Sequence, residues 1–252
     1  MSILAETKLL FIRNVKKNLS MPMWLVLGMM QPILYLLLYM PLLRNLGNTA
    51  ALPLGQIAQI FVPGMLVIMS ISGLFAGFGF IPEMREGYIT RLLVTPVSRV
   101  SILVGMILNQ MFTFTLQAVV LIVVATVLGL RVSALALVLS FVLFLMIGVS
   151  MTSLSYIISI ATKSEDGLAS LVNTLFLPIM LLSGIMLPIS LAPDWLKTAA
   201  HFNPFYYAVE AIRALFLGDY GNPFILEGFA IMLVFVVLTV YFSVRALKKM
   251  AA

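Results

Sequence analysis

The 252-residue chain has no cysteine and a single histidine, His201. Without cysteine there is no disulfide, no thiolate metal ligand and no thiol nucleophile. Around His201 the sequence shows no serine–histidine–aspartate arrangement, no paired carboxylates and no metal-ligand spacing. A membrane-embedded enzyme is therefore an alternative only if acids in the loops carry out the chemistry.

Charge is also scarce, since only 10% of the residues are charged whereas 62% are apolar. A soluble domain is about 45–50% apolar and about 25% charged. A soluble core of this length could not bury so much apolar surface, so residues 1–252 are predicted to form one integral membrane domain. The net charge of +6 does not indicate nucleic acid as a partner, because the basic residues flank apolar runs.

Two further absences concern the energy source of a membrane protein. The sequence contains no G-x-x-x-x-G-K-[ST] phosphate-binding loop, so this chain is not expected to hydrolyse ATP by that chemistry. The apolar runs hold almost no ionisable residues, whereas ion-coupled carriers usually keep one at mid-membrane. The lack of ionisable residues in the apolar runs argues against the alternative, an ion-coupled carrier or channel.

Six apolar stretches are long enough to cross a bilayer as helices, which takes about 20 residues each. They cover residues 23–42, 57–81, 102–128, 132–161, 168–187 and 224–244. The prediction is an all-α integral membrane protein with six spans. Span five is expected to be discontinuous, because Pro178 and the Ser183-Gly184 pair interrupt it.

The distribution of lysine and arginine predicts the orientation of these spans. Six spans place eleven of the 15 basic residues on one face and four on the other. The larger set is Lys8, Arg13, Lys16, Lys17, Arg85, Arg91, Arg99, Lys163, Arg245, Lys248 and Lys249; the smaller set is Arg44, Arg131, Lys197 and Arg213. The positive-inside rule then predicts that both termini are cytoplasmic.

A charged segment, PEMREGYITRLLVTPVSR, interrupts the apolar sequence between spans two and three. Pro82 favours the first turn of a helix, and Pro96 disfavours helix at the residue before it. Residues 83–99 are therefore predicted to form a short cytoplasmic helix. It is either a solvated membrane-surface helix or a docking element that presents Leu92, Leu93 and Val94 to a partner.

Residues 1–20 are predicted to form an amphipathic helix on the inner leaflet of the membrane. On a helical wheel one face collects apolar residues and the opposite face collects charged ones. The apolar set is Leu4, Phe11, Val15 and Leu19, and the charged set is Glu6, Arg13, Lys16 and Lys17. A simple positively charged anchor is the alternative.

The segment 188–222 between spans five and six is predicted to form two short helices that dip into the outer leaflet and return. Asp194 can begin the first of these helices, and Asn203 together with Pro204 can begin the second. Glu210 and Arg213 lie three residues apart and can pair. This pair is either structural or the latch of an outer gate.

The spans contain few polar side chains, and these are candidates for the transport pathway. The candidates are Gln31, Asn109, Thr113 and Asn173. Hydrogen bonding between helices is the alternative role for each of them. Gly73 and Gly77 form a G-x-x-x-G motif that allows close helix packing, within the chain or between chains. Phe75, Phe78 and Phe80 beside it suit an amphipathic cargo.

Four of these features together resemble the permease subunits of ABC-2 type exporters. They are the amphipathic N-terminus, FVPGML at 61–66, EMREGYITRLLVTPVSR at 83–99, and LSGIMLPISLAPDWLKTAAHFNPFYYAVEAIRAL at 182–215. The stretch at 83–99 is similar to the coupling helix of that family. It departs from the usual pattern at Arg85, which is often acidic, at Tyr88, usually threonine, and at Thr90, usually glutamate.

The resemblance implies a drug or antibiotic efflux permease of the daunorubicin-resistance type in the bacterial cytoplasmic membrane. Export of lipid or lipid-linked polysaccharide is the alternative. The implied partners are an ABC ATPase, which binds ATP and magnesium so that this chain holds no cofactor, a second permease subunit as homodimer or heterodimer, and membrane lipid. The residues implied for ATPase docking are Glu83, Arg85, Glu86, Gly87, Tyr88, Arg91, Leu92 and Leu93.

Overall fold

A computed structural model describes residues 3–20, 28–30, 32–38, 54–89, 97–185, 189 and 192–250. Within these ranges all regular structure is helical. The helices are α1 (Ile3–Leu19), α2 (Leu54–Ile71), a 3₁₀ turn (Ser72–Phe75), α3 (Gly77–Arg85), α4 (Arg99–Val127), α5 (Ala134–Thr162), α6 (Glu165–Leu182), α7 (Asp194–His201), α8 (Pro204–Leu217) and α9 (Pro223–Met250). The all-α membrane class is therefore confirmed.

Within the described residues, five stretches of helix are long and apolar enough to cross a membrane. They are Ala58–Arg85, Arg99–Val127, Ala134–Thr162, Glu165–Leu182 and Pro223–Lys249. Half of the predicted first span, 23–42, lies outside the described residues, and its described residues, 28–30 and 32–38, are helical. The count of six spans stays a prediction.

Helix α5 is the centre of the bundle and packs against spans two, three and five as well as α8 and α9. Its buried positions include small hydroxyl residues at 140, 150, 153, 155 and 159. Small side chains let helix backbones approach closely, which is how helices associate where lipid removes the hydrophobic driving force. Phe144 fills the space between α5 and α4, where its ring lies 6.1 Å from that of Phe114.

Span two is broken by the 3₁₀ turn between α2 and α3. Ser155 of α5 satisfies the interrupted backbone, because its hydroxyl accepts from the Gly77 N–H at 2.8 Å and donates to the Leu74 carbonyl. Unpaired backbone groups are costly at membrane depth, so this bond stabilises the break. The sequence predicts a discontinuity in span five, at Pro178 and the Ser183-Gly184 pair. Helix α6 continues through Pro178 but ends at Leu182, and Gly184 has a φ of +70°, so span five is interrupted at the Ser183-Gly184 pair only.

The G-x-x-x-G motif packs span two against α5 of the same chain. A Cβ added at Gly73 would lie 2.9 Å from the Thr152 hydroxyl oxygen. One added at Gly77 would lie 2.8 Å from the Ser155 hydroxyl and would overlap the Ser159 hydroxyl. Of the two roles predicted for the motif, the structure therefore shows packing within the chain.

Gly77 and Gly79 offer a matched test of this packing. We expect Gly77→Ala to lower the free energy of unfolding by about 1–3 kcal/mol, because the added methyl overpacks a filled contact. Gly79→Ala should be close to neutral, since a Cβ at Gly79 meets no atom within 4 Å. The melting temperatures of both variants in detergent check this. Equal melting temperatures would contradict the close contact.

The predicted 83–99 helix does not begin at Pro82. Pro82 lies inside α3, which continues span two as far as Arg85. The chain then turns at Gly87, whose φ of +73° favours glycine. Arg99, the last residue of the predicted helix, is already the first residue of α4. Residues 88 and 89 are helical after the turn, and 90–96 lie outside the described residues.

The basic residues separate between the two ends of the bundle. At one end, here called the basic end, Lys17 pairs with Glu83, Arg85 with Glu165, and Arg99 donates to the Lys248 carbonyl. At the opposite end Gln59 donates to the Arg131 carbonyl at 2.8 Å. The orientation of these two ends relative to the cytoplasm stays a prediction.

Candidate functional site

Helix α1 runs alongside the first half of α4 in the same direction. The Glu6 carboxylate accepts from the Ser98 N–H at 3.0 Å and from the Ser101 hydroxyl at 3.1 Å. Further along, the Asn18 amide donates to the Asn109 and Thr113 side chains at 3.2 and 3.3 Å. Both helices advance about 18 Å between these contacts, at 1.5 Å per residue. The two helices therefore form a parallel pair.

Glu6 is buried in the protein, whereas Arg13, Lys16 and Lys17 of the same predicted charged face of α1 are exposed. Glu6 is only 7% exposed, whereas Leu4 is 81% exposed. The free N–H groups and positive end of α4 explain the position of Glu6, because a carboxylate is stabilised there. Leu9, Ile12 and Leu19 are also exposed. The predicted division into two faces therefore needs a correction: the acid contacts the bundle instead of water.

The end of span two is attached to α1 by two contacts. The Lys17 ammonium lies 2.7 Å from the Glu83 carboxylate, whose side chain is 11% exposed. The Arg13 guanidinium lies 3.7 Å from the centre of the Tyr88 ring. Burial raises the pKa of the Tyr88 hydroxyl, against the opposing effect of Arg13, so the phenol is neutral at physiological pH. Glu83 and Tyr88 thus connect α1 to the charged segment.

Two of the other predicted docking residues, Arg85 and Glu86, are more accessible than Glu83. Arg85 lies 3.6 Å from Glu165 in a half-exposed pair, which contributes little to stability. Glu86 is exposed and Gly87 makes the turn. Arg91, Leu92 and Leu93 lie outside the described residues. Docking at all of these positions stays a prediction, and for Glu83 the carboxylate is already paired within the chain.

A cavity of about 190 Å³ opens between α1, α3, α4 and α5, and we call it the polar niche. Its polar lining consists of Asn14, Lys17, Asn18, Glu83, Asn109, Gln110 and Tyr156. Its apolar lining consists of Ala76, Gly79, Phe80 and Met106. Asn109, a predicted pathway residue, therefore lines this cavity while it also holds α1. Thr113 bonds to the same Asn18 amide and serves helix packing.

Phenylalanine rings from spans two and five meet beside the 3₁₀ turn. The Phe75 ring lies 6.2 Å from the Phe78 ring and 5.7 Å from the Phe176 ring. We call these three residues the aromatic strip; Phe75 is 40% exposed. Asn173, a predicted pathway residue, is exposed on α6 about one turn before Phe176. Gln31 lies outside the described residues.

At the opposite end, Arg213 joins α8 to the end of α6. Its guanidinium lies 2.7 Å from the Glu210 carboxylate and donates to the Gly184 and Ile185 carbonyls at 2.6 and 3.3 Å. We call this group the outer clasp. A Cβ added at Gly64 would lie 2.6 Å from the Ile185 carbonyl oxygen, so span two backs the clasp. The arrangement fits the structural role of the pair; the latch stays a prediction.

Asn203 makes a second connection between the outer segment and span five. Its amide donates to the Ile179 carbonyl at 3.0 Å, and its oxygen accepts from the Phe205 N–H at the start of α8. His201 is exposed and its Nδ1 lies 2.7 Å from the Lys197 carbonyl oxygen.

Comparison with known proteins agrees with this architecture. The family model for the ABC-2 type transporter matches residues 5–217. The protein named "Putative transport permease ycf38" from Cyanophora paradoxa is 27% identical over 212 residues, which are 83% of this chain and 72% of the relative. The protein of the same name from Pyropia yezoensis is 26% identical over 218 residues, 85% of this chain and 75% of the relative.

A bacterial relative is more distant. The Escherichia coli K12 protein named "Probable multidrug ABC transporter permease YbhR" is 23% identical over 163 residues, which cover 65% of this chain and 42% of that protein. The family match extends from α1 through α8, and so includes the polar niche, the aromatic strip and the outer clasp. The chain belongs to the ABC-2 type transporter family.

Proposed function

We propose that the chain is the membrane permease subunit of an ATP-driven exporter and moves an amphipathic substrate such as a drug or antibiotic out of the cell. The observation that carries the proposal is the match of the ABC-2 family model to residues 5–217. The helical bundle supports it, because five of its stretches can cross a membrane. Permeases of this family work with ABC ATPases.

The proposed partner ATPase binds ATP and magnesium, and this chain supplies the docking surface. The surface is the charged segment at the basic end, with Arg85 and Glu86 exposed at its start. Movement of that segment would reach α1 through Lys17–Glu83 and Arg13–Tyr88, and α4 through Glu6. These contacts give a mechanical route from the ATPase into the spans.

The proposed pathway includes the exposed aromatic strip between spans two and five. Aromatic rings suit the apolar part of an amphipathic molecule, and Asn173 nearby offers a hydrogen-bonding group. Helix α6 is the least buried of the five candidate spans, so one of its faces is available to lipid or to a second permease subunit. We propose a dimer of permeases, with the pathway at their contact.

The cargo can be a drug, as the name of the Escherichia coli relative says of that protein. The alternative is a lipid or a lipid-linked polysaccharide. The specific observation in favour of this alternative is the polar niche next to the aromatic strip, because a molecule with a polar head and an apolar body matches both surfaces.

The energy source separates this proposal from an ion-coupled carrier. In inside-out vesicles that contain the chain and its ATPase, ionophores that collapse the proton and sodium gradients should leave daunorubicin uptake unchanged while ATP is present. Removal of ATP should stop uptake. Uptake that fails with ionophores despite ATP would exclude the proposal in favour of ion coupling.

A further inference from the structure

The polar niche contains polar groups that packing alone does not explain. Tyr156 is 4% exposed, lines the niche, and its hydroxyl has no hydrogen-bond partner within the described part of the chain. Its ring packs on Phe80 at 5.2 Å, which fixes the direction of the hydroxyl. Because Tyr156 lines the niche, a ligand there can form a hydrogen bond with this hydroxyl and gain affinity from it.

The niche also presents two opposite charges side by side. The Lys17 side chain is 51% exposed and the Glu83 side chain only 11%, although the two charges are 2.7 Å apart. The remaining polar groups are four side-chain amides and the Tyr156 hydroxyl, all of which can donate and accept hydrogen bonds. The site is therefore neutral overall, with one cationic contact, one anionic contact and several hydrogen-bonding groups.

The aromatic strip begins directly beside the niche. Ala76 and Gly79 line the niche and are adjacent in sequence to Phe75 and Phe78 of the strip. A Cβ at Gly79 would meet no atom within 4 Å, so the wall of the niche is open at this point. A polar head in the niche could therefore continue into an apolar chain on the strip.

We propose that the polar niche binds the head of a zwitterionic amphiphile that carries a primary ammonium and an anionic group, as in a phosphoethanolamine lipid. The anionic group contacts Lys17 and the Asn14 and Gln110 amides, and the ammonium donates to Glu83. The Tyr156 hydroxyl bonds to the head, and the acyl chains lie on the aromatic strip. The idea that this lipid is the cargo rests on the proposed function. The idea that the niche binds such a head group does not.

The charges at the niche discriminate between kinds of head group. A purely anionic head would draw Lys17 away and leave the nearly buried Glu83 carboxylate without a partner, which is strongly unfavourable. A choline head carries no N–H to donate to Glu83. The expected order of affinity is therefore phosphatidylethanolamine first, with phosphatidylglycerol and phosphatidylcholine both weaker.

Native mass spectrometry of the purified chain in detergent measures these affinities without any transport. Dioleoyl phosphatidylethanolamine, phosphatidylglycerol and phosphatidylcholine are titrated separately, and the first bound equivalent gives a dissociation constant. We expect phosphatidylethanolamine to bind about tenfold more tightly than either of the others, which corresponds to a single satisfied charged contact.

Three variants assign that binding to the niche. Gly79→Leu puts a larger side chain at the opening, where its Cβ meets no atom within 4 Å, and should abolish the preference, whereas the control Gly221→Leu, in an exposed turn, should keep it. Glu83→Gln should reduce phosphatidylethanolamine binding to the level of phosphatidylglycerol. Tyr156→Phe keeps the ring packing and should weaken binding severalfold. Because Gly79→Leu needs no charge removed, it tests the site even if Glu83→Gln folds poorly.

Two results would overturn the proposal: equal affinity for the three lipids, or a preference that Gly79→Leu leaves intact. Either result would leave the exporter function standing. ATP-dependent transfer of fluorescent phosphatidylethanolamine between leaflets by the reconstituted complex identifies the bound molecule as cargo. Stable binding without such transfer identifies it as a resident lipid of the same site.

Discussion

Replacing Leu92 and Leu93 together with aspartate should release the partner ATPase from this chain. Both leucines belong to the predicted docking segment between spans two and three. Burying two carboxylates in an apolar contact leaves charges without partners, and loss of an interface anchor costs about 2–4 kcal/mol, or a 30- to 1,000-fold loss of affinity. A pull-down with tagged permease, together with permease-stimulated ATP hydrolysis, measures the effect.

Two controls limit the interpretation of this double variant. Replacement of the same leucines with methionine keeps the apolar surface and should keep the complex. Leu217→Asp introduces a carboxylate at an exposed position of the opposite end and should also leave the complex intact. If the Leu92→Asp, Leu93→Asp chain still retains its ATPase, the docking assignment fails.

Replacing Arg213 with methionine should have the largest effect on the stability of the opposite end. The guanidinium is the donor to both the Gly184 and Ile185 carbonyls and the partner of Glu210. Methionine retains much of the volume but leaves the carbonyls and Glu210 without that partner. We expect a loss of about 3 kcal/mol in the free energy of unfolding and a marked loss of transport.

Glu210→Gln and Lys197→Met provide graded controls for this variant. Glu210→Gln leaves the two bonds from Arg213 to the carbonyls in place and should cost about 1 kcal/mol. Lys197 pairs with Asp194 on the surface, so Lys197→Met should be nearly neutral. Melting temperatures and transport are compared across all three. A folded Glu210→Ala, Arg213→Ala protein with unchanged transport would exclude a latch at this place.

The membrane class and the approximate positions of spans were predictable because they depend on local composition. The predicted third span, 102–128, corresponds to α4 at Arg99–Val127, and the fourth, 132–161, to α5 at Ala134–Thr162. Continuous apolar runs that are longer than a bilayer needs identify helices without any knowledge of their neighbours. The Asn203-Pro204 start of α8 was also predictable locally, because the asparagine cap and the proline at the first helical position are recognised from neighbouring residues alone.

The break in span two was not predictable, because the group that stabilises it is distant in sequence. Ser155 lies 78 residues beyond Gly77, the residue whose N–H it accepts. In span five, α6 continues through Pro178 and ends directly before the Ser183-Gly184 pair, the other predicted interruption. The local Ser-Gly signal was therefore sufficient there, whereas the break in span two depends on the tertiary environment.

The candidate sites show the same division between local and distant information. A helical wheel separates Glu6 from Leu4, but it does not show that Glu6 meets the first turn of α4. The Glu210–Arg213 pair follows from spacing, whereas the two carbonyls that Arg213 holds come from the turn that follows α6. Phe176 had no local signal beyond its position one turn after Asn173. The niche combines four helices, so no single segment predicts it.

The dependence of transport on a separate ATPase tests the central claim most directly. The purified chain is reconstituted into liposomes alone, with its ABC ATPase, and with an ATPase whose phosphate-loop lysine is replaced. ATP-driven movement of daunorubicin or fluorescent phosphatidylethanolamine is followed in each preparation. The account predicts movement only with the intact ATPase. Equal movement by the chain alone would contradict it.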